Sequence, residues 1–300
     1  MKHVMSVSLG SSKRNHSVKV NILGEDFLIE RVGTDGDKQK AAEIIRQYDG
    51  KVSAFGLGGI DLYLFAGKKR YIIKDAAKLA ACAQKSPVVD GSGLKDTLER
   101  KVIEYLQKEK IVDFKGKKVI LVAATDRFGM AEALEKAGAV MTYGDLIFAL
   151  GIPIPLHSLK VIDVLARIMV PILARLPFEM LYPTGKKQES SKSAHSRFFE
   201  EADIIAGDFL YIKRYMPEKL PGKIIITNTV TGEDVEMLRE KGVKMLVTTT
   251  PELEGRSFGT NVMEAVLVSL AEKPAKELTP EDYERLLEKI GFSPRIEKLN

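Results

Sequence analysis

The sequence is poor in cysteine, in side-chain amides and in uninterrupted apolar runs. Cys82 is the only cysteine in 300 residues. One thiol excludes an internal disulfide and a multi-cysteine zinc site, and it fits a reducing, cytoplasmic compartment. Leu79, Ala80, Ala81 and Ala83 give Cys82 an apolar helical setting, so a buried, inert thiol is expected. Asparagine and glutamine number five each, against 46 basic and 41 acidic residues, a bias found in thermophilic proteins. The longest apolar region, 161–181, is broken by Asp163, Arg167, Pro171, Arg175, Pro177 and Glu179, which argues against a membrane span. The start, Met1 to Ser6, leads into a strand pattern without the features of a signal peptide. Charge is not concentrated either. The net charge of +5 is spread along the chain, and the clearest basic cluster in the first half is Lys68, Lys69 and Arg70, with Lys74 beyond. A nucleic-acid stripe needs denser clustering. The expected partner is a small molecule, with neither nucleic acid nor membrane.

What is present is enough apolar residue, 45%, to bury a sizeable core, and a length suited to about two domains. The most ordered stretch runs from Lys117 to Asp145. Val119 to Ala123 reads as a strand buried on both faces, and Ala124 to Gly129 as a tight turn. Met130, Ala133, Leu134 and Ala137 recur at helical spacing, with Gly138 as C-cap, and Ala139 to Met141 leads on to Asp145. This is a strand–turn–helix–strand unit of the size of a dinucleotide half-fold, with an acidic residue 20 positions after Thr125, where such folds hold a ribose hydroxyl.

Before it, Val4 to Leu9 reads as a strand, Val18 to Leu23 and Phe27 to Val32 as a hairpin, and Asp37 as the cap of a helix carrying Ala41, Ile44, Ile45 and Tyr48. Gly56-Leu57-Gly58-Gly59 follows a short strand. Such a backbone either approaches a ligand closely or makes a sharp turn. Asp90, in Val88-Val89-Asp90-Gly91-Ser92-Gly93, stands at a strand end before a long helix from Leu94 to Lys108. Its carboxylate is either a ligand-site group or a helix cap.

The Asp-Gly-x-Gly turn, the long helix, a Lys/Gly linker at 115–118 and the dinucleotide-like unit follow one another in an order that resembles the shikimate and quinate dehydrogenase family. Asp90, Gly91 and Gly93 match that family's Asn-Thr-Asp-Gly-x-Gly motif, although its Asn-Thr pair is missing. The resemblance implies an α/β protein of two domains with mostly parallel sheets, the second Rossmann-like. A substrate domain would cover 1–112 and a nucleotide domain 113–272, with a helical insertion near 150–180 and a C-terminal helix in 273–300. It also implies an NAD(P)-dependent oxidoreductase moving hydride between the cofactor and a cyclohexane carboxylate alcohol.

Asp90 would orient substrate and a catalytic Lys, for which Lys68 and Lys69 are the nearest candidates; both also read as surface lysines on a basic turn. Ser11 and Ser12 occupy the position of the family's carboxylate-binding serines, in a polar turn with Lys13, Arg14 and His16. On the nucleotide side, Ala124 to Gly129 replaces a glycine-rich turn. Asp126 would repel a pyrophosphate, Arg127 could pair with one, and Thr125, Gly129 and Asp145 complete the expected cofactor site. Asp145 favours NAD, with NADP the alternative. No metal is expected. The alternative reading is a non-catalytic α/β ligand-binding or sensor protein that keeps the fold without the nucleotide turn.

Farther on, the helix from Leu159 is apolar over most of its surface, as in a core or a subunit interface, so a homo-oligomer is compatible with it. His195 reads as a base candidate or a surface histidine. Thr231 with Asp234, and Thr279 with Pro280, mark helix starts. Gly255 to Asn261 precedes a helix whose free amides and Arg256 suit an anion, or form an ordinary cap.

Overall fold

The computed structural model describes residues 1–66, 69–176, 195–253 and 256–300. The chain is α/β and divides into two compact units. The first contains Met1–Lys95, a segment beginning at Met169 and Phe258–Phe292; the second contains Asp96–Ile168, a segment ending at Ser257 and Ser293–Asn300.

In the first unit β1 (Lys2–Ser8) is the central strand, buried from Val4 to Ser8. The hairpin β2 (His16–Ile22) and β3 (Glu25–Gly33) turns through Leu23 and Gly24, both at positive φ (55° and 81°). Helix α1 (Lys38–Tyr48) starts where the Lys40 amide donates to Asp37 Oδ1 at 2.9 Å. β4 (Ala54–Gly58) runs parallel to β1. β5 (Tyr63–Ala66) and β6 (Lys69–Ile72) form a separate two-stranded ribbon, followed by α2 (Lys74–Ala80) and β7 (Val88–Val89). The sheet order is β2-β3-β1-β4-β7, parallel except for β2. Met5, Val7, Phe55 and Leu57 pack with Ala41 and Ile45 of α1 and Ala76 and Leu79 of α2. Cys82 lies just beyond α2, half-buried rather than in the core, with its Sγ 3.4 Å from the Lys78 carbonyl.

Helix α3 (Ser92–Lys108) begins in the first unit and passes into the second at Asp96. There follow β8 (Lys118–Leu121), α4 (Phe128–Lys136) and β9 (Val140–Tyr143), the strand–turn–helix–strand form expected from the sequence. A π-helical turn, Asp145–Ala149, comes next, and then α5 (Leu159–Leu173). The α/β alternation resumes with α6 (Arg197–Glu201), β10 (Ile204–Gly207), α7 (Phe209–Tyr215), β11 (Ile224–Thr227), α8 (Gly232–Glu240) and β12 (Met245–Thr248). The small hairpin β13 (Glu252–Leu253) and β14 (Arg256–Ser257) precedes α9 (Thr260–Leu270) and α10 (Pro280–Lys289), which belong to the first unit. β15 (Arg295–Lys298) closes the second sheet antiparallel to β12.

That sheet has the order β15-β12-β11-β10-β8-β9, parallel except for β15. β10 and β12 are buried at every position, as strands covered on both faces require. Their core contains Ile120, Ile205, Ile225 and Leu246 with Phe148, Phe199, Phe209 and Leu238. The two compact units meet within α3, and 258–292 groups with the first unit.

Candidate functional site

Parallel sheets present ligands to the C-terminal ends of their strands, above all where successive connections leave a strand in opposite directions. In the second unit that point lies between β8 and β10, since β9 and β10 flank β8 on opposite sides. The turn after β8 carries the expected cofactor residues. Asp145 is 6% exposed, and its two oxygens accept from the turn amides: Oδ2 from Ala124 N at 3.0 Å and Oδ1 from Thr125 N at 2.8 Å. Burial pushes the Asp145 carboxyl above the usual range, while the Thr125 and Ala124 amides pull it down.

Arg127, expected to reach a phosphate, is instead 2% exposed and pairs with the fully buried Glu99; its second nitrogen lies 3.4 Å from Asp208 Oδ2. Gly129 serves close packing of two helices. A Cβ there would stand 2.7 Å from the Asp96 carbonyl oxygen, and the Gly129 amide donates to Asp96 Oδ1 at 3.2 Å.

A dinucleotide needs open amides at this turn and at the helix start to receive its pyrophosphate. Here Asp145 takes two turn amides and Asp96 takes an α4 amide. The Tyr211 phenol is pushed up to about 12, mainly by burial and then by the charges of Asp208 and Asp126, against Arg214. These residues do not fit a bound pyrophosphate.

Asp208 and Asn228 hold the neighbouring strand ends: Asn228 Nδ2 donates to Asp208 Oδ2 at 2.7 Å, and the Leu210 amide donates to Asp208 Oδ1 at 2.9 Å. Thr250 Oγ1 donates to the Asn228 carbonyl at 2.9 Å. Asp208 and Glu99 join this site without being candidates in the sequence. The strand-ending Gly207-Asp208 was the available signal for one; nothing marked Glu99 within an amphipathic helix.

In the first unit Asp90 is 8% exposed and accepts four hydrogen bonds: from Leu62 N (2.6 Å) and Tyr63 N (3.2 Å) on Oδ2, and from Ser92 N (3.1 Å) and Ser92 Oγ (2.6 Å) on Oδ1. It therefore ties the start of β5 to the start of α3. Lys69, the described lysine candidate, is exposed on β6 opposite Ala66, three residues along the strand from Tyr63. Lys68 lies outside the described residues.

Ser11 Oγ accepts from Lys13 N at 3.3 Å, its carbonyl accepts from Arg31 at 3.0 Å, and Ser12 N donates to Asp35 Oδ1 at 2.8 Å. The Ser12 hydrogen bonds hold Asp35 below the usual carboxylate range. These serines thus organise their own turn. His195, another candidate, has φ of 75° and a ring centroid 6.4 Å from that of Phe198.

The glycines of this unit approach α9. A Cβ on Gly56 would lie 2.7 Å from the Asn261 carbonyl oxygen, and one on Gly91, at φ +94°, 2.7 Å from the Asn261 amide. Asn261 Nδ2 donates to Ser6 Oγ at 2.8 Å. Gly255 lies outside the described residues. Behind Asn261 is Glu264, the only charged side chain in α9, which is the one sequence signal that marks it. It accepts from Gly91 N at 2.6 Å and from the Tyr283 hydroxyl at 2.7 Å. Burial, then the Asp90 charge, pushes the Glu264 carboxyl up to about 7, against Tyr283 and the Gly91 and Gly93 amides.

The class is thus an α/β protein whose two mostly parallel sheets carry their candidate ligand edges already bonded to the protein's own side chains and helices. The chain belongs to the family described as domain of unknown function (DUF8754), matched over residues 93–299; residues 3–90 match a second, domain of unknown function (DUF8753). No curated protein matches the sequence.

Among solved structures, it is similar to a hetero-hexameric glutamate dehydrogenase from Thermus thermophilus (13% identity, TM-score 0.42, covering 97% of this chain and 73% of that one). It is also similar to a sugar ABC transport substrate-binding protein from Bordetella parapertussis (12%, 0.36, 99% and 89%) and an NAD-dependent malic enzyme from Thermotoga maritima (12%, 0.32, 96% and 84%). Among the described residues no helix is long and apolar enough to cross a membrane, and no group of three His, Cys, Asp or Glu is placed to hold a metal.

Proposed function

We propose that this protein is a ligand-binding or sensor α/β protein that keeps a two-unit, dehydrogenase-like architecture without a working dinucleotide site. The carrying observation is the Asp145 carboxylate on the Ala124 and Thr125 amides, at 3.0 and 2.8 Å. A pyrophosphate would have to displace a buried carboxylate and then share its surroundings. Calorimetric titration with NAD and with NADP tests this, followed by quinate or shikimate with absorbance of the reduced cofactor as readout. Neither cofactor should bind, and no reduction should appear. Binding of either one would overturn the reading.

One observation favours the second reading, an oxidoreductase resembling quinate and shikimate dehydrogenase. Asp145 follows β9, where dinucleotide folds place their ribose-binding acid. On that reading NAD binds, quinate or shikimate is turned over, and Asp90→Asn removes turnover while cofactor affinity stays unchanged.

A further inference from the structure

Strands β5 and β6 form a ribbon that no other strand extends among the described residues. Tyr63 pairs with Ile72, Leu64 with Tyr71 and Phe65 with Arg70. The Ile73 amide donates to the Leu62 carbonyl at 3.0 Å, so Leu62 with Ile73, and by alternation Leu64 with Tyr71, are the pairs bonded across the ladder. The backbone amides and carbonyls of Phe65, Arg70 and Ile72 therefore point out of the ribbon. On β5 the outward Tyr63 amide is taken by Asp90 at 3.2 Å. On β6 the outward edge faces water. Lys69, Arg70 and Ile72 are all exposed, Ile72 at 55%, and among the described residues no hydrogen bond from outside the ribbon reaches the Arg70 or Ile72 backbone. Such an edge is a template for another extended chain, whose amides and carbonyls repeat at the same spacing.

The charges on the ribbon select the chain that adds to it. Residues 62–74 hold Lys68, Lys69, Arg70 and Lys74 and no acid. Asp61 and Asp75 flank them, and Asp75 already has Lys38 and Lys78 at 3.4 Å each. Phe65 and Ile72 share the face of Arg70, whose guanidinium lies 4.1 Å from the Tyr63 ring centroid, so that face is apolar as well as basic. A second copy is excluded by sign. Pairing β6 with β6 would crowd the Lys69, Arg70 and Lys74 of both chains together with no acid on either strand, and like charges across a ladder are destabilising. Cations on an edge guard it against indiscriminate pairing, and here they leave it open to a strand of opposite charge.

We propose that the outer edge of β6 docks an extended acidic peptide of another protein, which joins the ribbon as a third strand. Fluorescence anisotropy is the test, with the full chain titrated into a short labelled peptide of alternating valine and glutamate. The peptide should bind saturably, and its counterpart with lysine in place of glutamate should not. Arg70→Glu should weaken binding at least about tenfold. Ile72→Pro should do the same with the thermal melt nearly unchanged, because the amide it removes points out of the ribbon and bonds nothing inside it. A glutamate peptide N-methylated at alternate residues keeps its charge and loses the edge amides, so it should also bind at least about tenfold more weakly. That probe carries the test from the ligand's side should Ile72→Pro disturb the ribbon.

Absence of saturable binding by the glutamate peptide overturns the proposal. So does equal binding of the N-methylated peptide, which would leave only a basic patch that attracts any anion. Saturable binding of oligothymidylate or of phosphatidylserine vesicles that is lost in Arg70→Glu and kept in Ile72→Pro would instead assign the ribbon to a phosphate-bearing partner and overturn strand addition.

Discussion

Arg127 and Glu264 are the two residues whose surroundings make the sharpest demands. Arg127 and Glu99 are both buried and paired, with Asp208 as a further partner of the guanidinium. Removing one member of a buried pair leaves an uncompensated charge in a poorly polarisable interior. Arg127→Ala should therefore cost about 3–5 kcal/mol in urea unfolding, whereas Arg127→Met combined with Glu99→Leu should cost far less. If Arg127→Ala kept full stability and lost nucleotide affinity, Arg127 would be a phosphate ligand after all.

Glu264 predicts a pH dependence of definite sign. Its folded-state value of about 7 lies above the unfolded 4.5. Between these values the folded chain binds more protons than the unfolded one, so stability falls as pH rises through the window. Burial of the ionised carboxylate is fully felt above about 7 and relieved as pH drops toward 4.5. Over the whole window the effect is of order 3 kcal/mol. Glu264→Gln can still accept from Gly91 and donate to Tyr283, and it cannot ionise. The difference in unfolding free energy between wild type and Glu264→Gln should therefore vary across pH 5–8 in the wild type's disfavour as pH rises. A pH-independent difference would refute the shifted value.

At the scale of elements, α9 explains the glycines that looked like a ligand cradle. Gly56 and Gly91 have no room for a Cβ because the Asn261 backbone is 2.7 Å from where it would be, and Gly93 would strike Glu264. A glycine cluster at strand ends encodes close approach by some backbone, and nothing in the local sequence states whether that backbone is a ligand's neighbour or the protein's own helix. Gly91→Ala adds a strained φ of +94° to the clash, so it should destabilise the first unit by at least about 2 kcal/mol. Hydrogen exchange should localise the loss to the start of α9.

Asp90 works on the same junction. Its four accepted bonds predict that Asp90→Ala lowers stability by about 3 kcal/mol in urea unfolding, because amides of Leu62, Tyr63 and Ser92 lose a charged acceptor. A residue acting only in catalysis would leave the unfolding midpoint in place. Capping shows where local sequence does suffice. The Thr231–Asp234 box forms as its spacing indicates and Pro280 opens the last helix as expected, with a second box, Thr279–Asp282, beside it; in each the partners lie within one turn.

For the whole molecule, the legible part is whatever a short window determines. The first hairpin, α1 with its Asp37 cap, and the β8–α4–β9 unit all stand within a residue or a few of their expected places. The rest depends on partners distant in sequence. β15 is a four-residue strand with three charged side chains, Arg295, Glu297 and Lys298, whose place is set by β12, some 50 residues earlier. Asp145 sits where a ribose-binding acid would, but its carboxylate turns back on a loop 20 residues away, and only packing reveals that.

Distance in sequence also sets how the first unit can fold. Its sheet comes from residues 1–95, yet the helix that covers the ends of β4 and β7 comes from 258–292, more than 160 residues later. Without α9 the glycine edge would be open to water, Glu264 would no longer bond Gly91 and Tyr283, and apolar side chains such as Val262, Val266 and Leu267 would be missing from the core. A fragment of 1–95 should therefore unfold without a cooperative transition in urea. The same fragment joined to 258–292 by a Gly/Ser linker should regain one, because the linker changes loop closure by little more than the logarithm of its length. Cooperative unfolding of 1–95 alone would show that α9 is a later addition to a self-sufficient sheet. In that case the glycines at its edge would again need a ligand to explain them.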